Sequence, residues 1–268
     1  MKIFRLIQIF LSIRKSGIFY LFIDNFNPLV KPFKKPNSIE KNFKETLESL
    51  GPFFIKLGQL ISTRTDLISL ELAKELRNLT DNCEPIDFNH ISNEINEGLG
   101  SRAKTILENI MEKPVASASL AQVHRLTIND KDLVVKVQKP GLLGQIDKDI
   151  KALRLGIRFL RFMYKGYPRV NLDELLNSYE KIIKNELDFR IEAANAKKTF
   201  ENFDGNELLY IPRIEDEFTT KKILVMEYID GIPITDVEEL KNYNLDLKKL
   251  SENGVKIFLK QVFEDNFF

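Results

Sequence analysis

Leu133-Val134-Val135-Lys136-Val137-Gln138 is a β-branched, alternating run, and it reads as a strand. One charged residue, Lys136, interrupts it. Apolar neighbours on both sides imply a buried strand, where an ammonium is costly unless it meets an anion. Two readings follow. Lys136 is an edge-strand lysine in solvent, or it is held for a phosphate and steadied by a carboxylate on a nearby helix.

Upstream, Asn129-Asp130 supplies a turn, which makes Lys136 part of the second strand of a hairpin. The first arm carries the small-residue stretch Val115-Ala116-Ser117-Ala118-Ser119-Leu120-Ala121-Gln122-Val123. Alanine and serine permit close backbone approach, and serine adds donors, but they reach fewer backbone conformations than glycine. Such a run serves tight helix packing or a phosphate-covering turn. No G-x-G-x-x-G or G-x-x-x-x-G-K-[ST] string occurs.

Downstream, Pro140-Gly141 ends the strand. Residues 146–162 read as a helix and 173–203 as one long helix started at Asn171 or Asp173. On that helix Asp188 and Glu192 are four apart, which puts them on one face. Residues 208–214 and 222–228 read as strands, and helix resumes from Val237 to the end. Upstream of the hairpin, Ser38-Ile39-Glu40-Lys41 resembles a helix start, Gly51-Pro52 a break, and 53–59 and 67–79 further helices. Residues 90–99 and 101–110 read as two short helices. Helices, hairpin, long helix, hairpin and helices in that order give an α+β, mostly helical fold.

Composition removes several function classes. The 268 residues are 43% hydrophobic and 29% charged, an ordinary globular balance. A single cysteine, Cys83, excludes a disulfide scaffold, and with only His90 and His124 beside it no His/Cys metal site is expected. A net charge of +1 gives no pull toward nucleic acid. His124 and Cys83 read as structural.

Charge is nevertheless uneven. Within residues 1–36, Lys2, Arg5, Arg14, Lys15, Lys31, Lys34 and Lys35 face a single acid, Asp24. The segment is also rich in Ile, Leu and Phe, but the charges interrupt any membrane-spanning run. It is either a basic amphipathic helix lying in a membrane interface or a helix packed on the protein's own core with its cations solvated. Pro28, Pro32 and Pro36 mark a linker after it.

A strand lysine after a small-residue hairpin, followed by an acid-bearing helix, is the layout of a protein-kinase small lobe. The sequence resembles the UbiB family of atypical kinase-like proteins, linked to ubiquinone biosynthesis. Lys56-Leu57-Gly58-Gln59, with Ser62, Arg64 and Asp66, resembles its K-x-G-Q motif. Residues 114–124 resemble its Ala-rich nucleotide loop and 134–141 its lysine strand. Glu186-Leu187-Asp188 resembles its E-x-D motif, with Glu192 at the lysine's helix partner. Val225-Met226-Glu227-Tyr228-Ile229-Asp230-Gly231 resembles the hinge that holds adenine.

The resemblance implies roles. Lys136 contacts the α- and β-phosphates of ATP and pairs with Glu192. Residues 115–123 cover the phosphates, and Glu227 and Tyr228 hold the base. Lys56, Gln59, Glu186, Asp188 and Glu192 form the catalytic group, with the K-x-G-Q helix filling the cleft that accepts peptide in a kinase. The implied organisation is a basic amphipathic segment and linker over 1–36, a helical extension over 37–112, a kinase-like small lobe over 113–230 and the start of an incomplete large lobe over 231–268. The implied activity is ATP-dependent handling of lipid or quinone precursors, in the cytoplasm and peripheral to the inner membrane. Nucleotide, membrane lipid or quinone precursor, and other ubiquinone-biosynthesis proteins are the implied partners.

No H-x-D-x-x-x-x-N or DFG-like string occurs. The expectation is a family sequence cut before its catalytic loop, with Mg2+ chemistry confined to a complete member, no metal site here and no turnover by this chain. The alternative is a non-catalytic membrane-associated adaptor or pseudokinase remnant.

Overall fold

A computed structural model describes residues 2–18, 38–79, 83–163 and 171–268. It is α+β and mostly helical. The chain runs α1 (Lys2–Ser16), α2 (Ile39–Leu50), α3 (Pro52–Ser62), α4 (Leu70–Arg77), α5 (Phe88–Leu99) and α6 (Ala103–Leu107). Then come β1 (Ile110–Ser117), β2 (Ala121–Ile128), β3 (Lys131–Gln138), α7 (Leu142–Met163), α8 (Leu172–Glu186), α9 (Phe189–Asn202), β4 (Ile223–Glu227), α10 (Val237–Asn242) and α11 (Leu247–Leu259). The strands form one sheet in the order β1-β2-β3-β4. The proline linker of residues 28–36 lies outside the described residues.

The chain divides into two compact units. The first comprises Met1–Glu94, Pro114–Gln122 and Gln138–Leu187. Its core gathers Ile9 of α1, Leu47 and Leu50 of α2, Phe53 and Phe54 of α3, Leu72 and Leu76 of α4, Ile146 and Ile150 of α7, and Tyr179 and Ile183 of α8. Phe53 meets Phe54 and Tyr179 edge to face, at 5.1 and 5.0 Å between ring centres. The Tyr179 hydroxyl donates to the Phe53 carbonyl at 2.6 Å, so α8 is bonded to the start of α3. Ser38 caps α2 by accepting from the Lys41 amide, and Gly51 with φ of 105° lets the chain turn directly into α3.

The second unit comprises Ile95–Lys113, Val123–Val137 and Asp188–Phe268. Asn129 and Asp130 both take positive φ, 50° and 60°, which closes the tight β2–β3 hairpin. β4 pairs antiparallel with β3, setting Val135 opposite Val225 and Lys136 opposite Leu224. Leu126, Val135, Val137, Ile223, Leu224 and Val225 are buried.

Four sequence expectations change. Residues 101–110 are not one helix: a 3-10 turn and the short α6 give way to β1 at Ile110. The long helix over 173–203 is two helices, because Asp188 takes extended backbone, φ −114° and ψ 92°, and caps α9 through the Arg190 amide. Residues 208–214 form no strand. Pro212 has no amide to give a ladder, and only the bridge between Ile214 and Met226 forms. The terminal helix is interrupted between α10 and α11, where Asn244 takes φ of 55° and Asp246 caps the next helix.

α1 packs on the core through Leu6, Ile9 and Ile13. Its Arg5 is not solvated. It bonds buried Asp149 at 2.6 Å and the Leu50 carbonyl at 2.8 Å. No helix among the described residues is long and apolar enough to cross a membrane.

Candidate functional site

In the second unit, β3 turns Val135 and Val137 into the core and Lys136 to the other face. α9 begins at the Asp188 cap, and Glu192 stands one turn in. The Lys136 Nζ lies 2.8 Å from each carboxylate oxygen of Glu192 and 4.9 Å from the centre of the Phe189 ring. Both side chains reach solvent, Lys136 at 25% and Glu192 at 44% exposure. The lysine side chain is therefore only partly covered, although the strand that carries it is buried. The strand itself is covered on both faces, with Val134 and Gln138 buried beside Lys136 as the apolar neighbours imply, while the ammonium stays open to an anion.

Asp188 does not share a helix face with Glu192. It sits at the cap, with Arg190 Nε and Nη2 at 2.9 and 2.6 Å. That bidentate pairing holds its carboxyl below the ordinary carboxylate range. The hinge segment is also in this unit. Glu227 accepts from the Tyr210 hydroxyl at 2.5 Å, and its amide donates to the Arg213 carbonyl. The Tyr228 amide donates to the Asp132 carbonyl at 3.0 Å, and its ring lies under the Arg125 guanidinium at 4.2 Å. Both backbone amides are thus engaged within the protein.

In the first unit, Lys56 on α3 faces Glu186 at the end of α8, Nζ to Oε2 at 3.8 Å. Gln59, one turn on, donates to the Leu79 carbonyl at 3.1 Å. Gly58 between them is required by packing, because a Cβ there would stand 2.4 Å from Leu79 Cδ1 and 2.7 Å from Leu47 Cδ1. Arg64 and Asp66 form an exposed pair of their own.

The small-residue turn between β1 and β2 is held tightly. The Ala118 amide donates to the Ala121 carbonyl at 2.7 Å, and the Lys139 amide to the Leu120 carbonyl at 3.0 Å. Gln122 is fully buried and pairs with the Ile86 backbone in both directions, accepting at 2.9 Å and donating at 3.2 Å. The Ser117 hydroxyl meets the Glu84 carbonyl and Gln122 at 3.4 Å each. These two side chains fix the turn to the segment before α5. The donor role expected of the Ser117 hydroxyl is thus taken up inside the protein. Val115 is exposed and Ala121 buried.

His124 is buried with a ring nitrogen 2.8 Å from the Met111 carbonyl, and burial lowers its pKa. Cys83 is half-buried, its amide bonded to the Ser117 carbonyl. Among the described residues no cluster of three or more His, Cys, Asp or Glu is placed to hold a metal ion. The groups on hand suit an anionic phosphate tail at Lys136.

Residues 78–268 match the ABC1 atypical kinase-like domain. The span starts after the Lys56–Gln59 motif. The chain is 41% identical over 227 residues to a "Probable protein kinase UbiB" of Histophilus somni, covering 83% of this chain and 42% of that protein. It is 40% identical over 238 residues to the protein of that name from Pseudomonas entomophila, covering 88% and 44%. For the Azotobacter vinelandii protein of that name the identity is 42% over 223 residues. The chain therefore spans less than half the length of the curated relatives it matches. A solved structure titled as the complex of Rv3197 with erythromycin, from Mycobacterium tuberculosis, shares the fold, with a TM-score of 0.51 and 23% identity over 72% of this chain and 49% of that one. The fold and the matched domain define an atypical kinase-like protein. Within that class, the chain belongs to the UbiB family.

Proposed function

We propose that this chain is the nucleotide-binding portion of an atypical kinase or ATPase of ubiquinone biosynthesis. The single observation that carries this reading is the Lys136–Glu192 pair. A strand ammonium is held at two equal distances by a helix carboxylate, and it keeps a solvent-open side. A carboxylate so placed fixes the ammonium's position without sealing it off, and an entering phosphate gains a charge-assisted bond of about 1.5–3 kcal/mol.

In this reading Lys136 grips the α- and β-phosphates of ATP and Glu192 positions it. Residues 115–123 supply backbone over the phosphates, since Ser117 and Gln122 side chains are engaged elsewhere. Backbone groups of the segment with Glu227 and Tyr228 hold the base. Lys56 with Glu186, and Gln59 and Asp188 beside them in the motifs, serve the helix that keeps peptide substrates out. The reaction then serves lipid or quinone-precursor handling rather than protein phosphorylation. Magnesium would neutralise the transferring phosphate when bound, through groups supplied by the rest of a full-length family member.

The test is ATP hydrolysis by this chain and by a version extended to the length of its relatives. The expected result is nucleotide binding in both and turnover only in the longer one, abolished by Lys136→Ala. Turnover that survives that substitution contradicts the assignment.

A further inference from the structure

The turn between β1 and β2 occupies the place of a kinase's glycine-rich loop but contains no glycine. Glycines let such a loop move freely and bring backbone amides close to a nucleotide. Here Ser117, Ala118, Ser119, Leu120 and Ala121 stand instead. The turn is also held from outside the sheet. Residues 83–86, which are neither helix nor strand, lie against it as a strap. Strap and turn both belong to the first unit.

The two are bonded from end to end. The Cys83 amide donates to the Ser117 carbonyl at 2.9 Å. The Glu84 carbonyl accepts from the Ser117 hydroxyl and from the Lys139 ammonium, at 3.4 Å each. The Gln122 side chain accepts from the Ile86 amide and donates to the Ile86 carbonyl. A neighbouring strand would make that two-way pairing with its backbone. In this protein a side chain makes it.

Gln122 is more polar than packing requires. It is fully buried, and a methionine there would fill nearly the same volume without needing partners. A buried amide group that meets one residue in both directions fixes a position along the strap, which an apolar contact does not. Within the turn, the Ala118 amide and the Leu120 carbonyl are bonded, to Ala121 and to the Lys139 amide. The Leu120 amide makes no hydrogen bond among the described residues, so a donor is left for an anion.

We propose that residues 83–86 preset the turn for nucleotide phosphates, and that Gln122 is the positioning residue through which they do so. The turn is ordered before a nucleotide arrives, so binding does not bear the entropy cost of ordering it. This rests on the nucleotide reading and deepens it. Phosphate affinity is set in part by a side chain that bonds the strap and not the phosphate.

The test is amide hydrogen exchange of the full chain, together with its affinities for ATP and adenosine. The proteins compared are the parent, Gln122→Met, and Ser117→Ala with Lys139→Met, which removes the two bonds to the Glu84 carbonyl and keeps Gln122. In the parent, amides of residues 117–121 should exchange slowly without nucleotide and little more slowly with ATP. Gln122→Met should speed that exchange and weaken ATP binding roughly three- to tenfold, with adenosine affinity unchanged. The double variant should move both readings the same way, which decides the matter if Gln122→Met fails to fold. Three results overturn the proposal. One is a turn that exchanges slowly in the parent and equally slowly in the variants. The second is a parent turn left unprotected until ATP is added. The third is equal loss of ATP and adenosine affinity, as a purely structural role would give. Failure of the nucleotide reading shows elsewhere: Lys136→Ala then keeps the parent's ratio of ATP to adenosine affinity, and the exchange rates still decide whether Gln122 sets the turn.

Discussion

The Lys136 ammonium lies 2.8 Å from both oxygens of the Glu192 carboxylate, although 56 residues separate the two in sequence. β3 and α9 bring them together, and both reach solvent. An ion pair this open contributes at most about 1 kcal/mol to stability. Glu192→Gln should therefore leave the melting temperature within about 2–4 °C of the parent, read by circular dichroism. If Glu192 positions the ammonium for phosphate, the same substitution should weaken ATP binding several-fold in a calorimetric titration.

The Arg5–Asp149 pair behaves oppositely, because the Asp149 side chain is fully buried. Burial pushes its carboxyl above the ordinary range, and Arg5 partly offsets this. Removing Arg5 leaves a buried carboxylate without its cation. Arg5→Ala should cost about 2–4 kcal/mol in urea unfolding. Asp149→Asn added to it should recover part of that loss. Additive costs in the double variant would show that the two groups act separately.

Gly58 lies inside the K-x-G-Q motif, yet its requirement is steric. Leu47 and Leu79 stand where a Cβ would go, and both are buried. Gly58→Ala should destabilise by about 1–3 kcal/mol with unchanged ATP affinity. A loss of affinity without a loss of stability would instead tie the glycine to ligand binding.

His124 gives a pH dependence. Burial lowers its pKa from an ordinary 6.5, so the folded protein resists protonation where the unfolded chain accepts it. The unfolded state then binds more protons below pH 6.5. Stability falls as pH drops from there to the lowered folded value, and is level again beneath it. Melting temperatures across this range should show that slope, and His124→Gln should flatten it.

Much of this was legible along the chain, and the failures are specific. Ser38, Gly51-Pro52 and Asn129-Asp130 mark their turns and caps by residue type alone, and each does so in the structure. β1 was hidden because Glu112, Lys113 and Pro114 do not look like strand residues, but β1 is an edge strand, where charge and proline are tolerated. The break at Asp188 was hidden by continuing helical periodicity. Its signal was the residue type itself, since aspartate is a preferred N-cap. At the site, the Lys136–Glu192 pairing was reachable only through family resemblance, because no local rule joins a strand to a helix so far on. The internal bonding of Ser117 and Gln122 was not reachable, since their partners lie at Glu84 and Ile86.

The most direct measurement is the ratio of ATP to adenosine affinity in the parent chain and in Lys136→Ala. If Lys136 grips phosphate, the parent should favour ATP by roughly tenfold or more, and the substitution should remove most of that preference while adenosine binding and melting temperature hold. Equal ATP preference in both proteins would contradict the account.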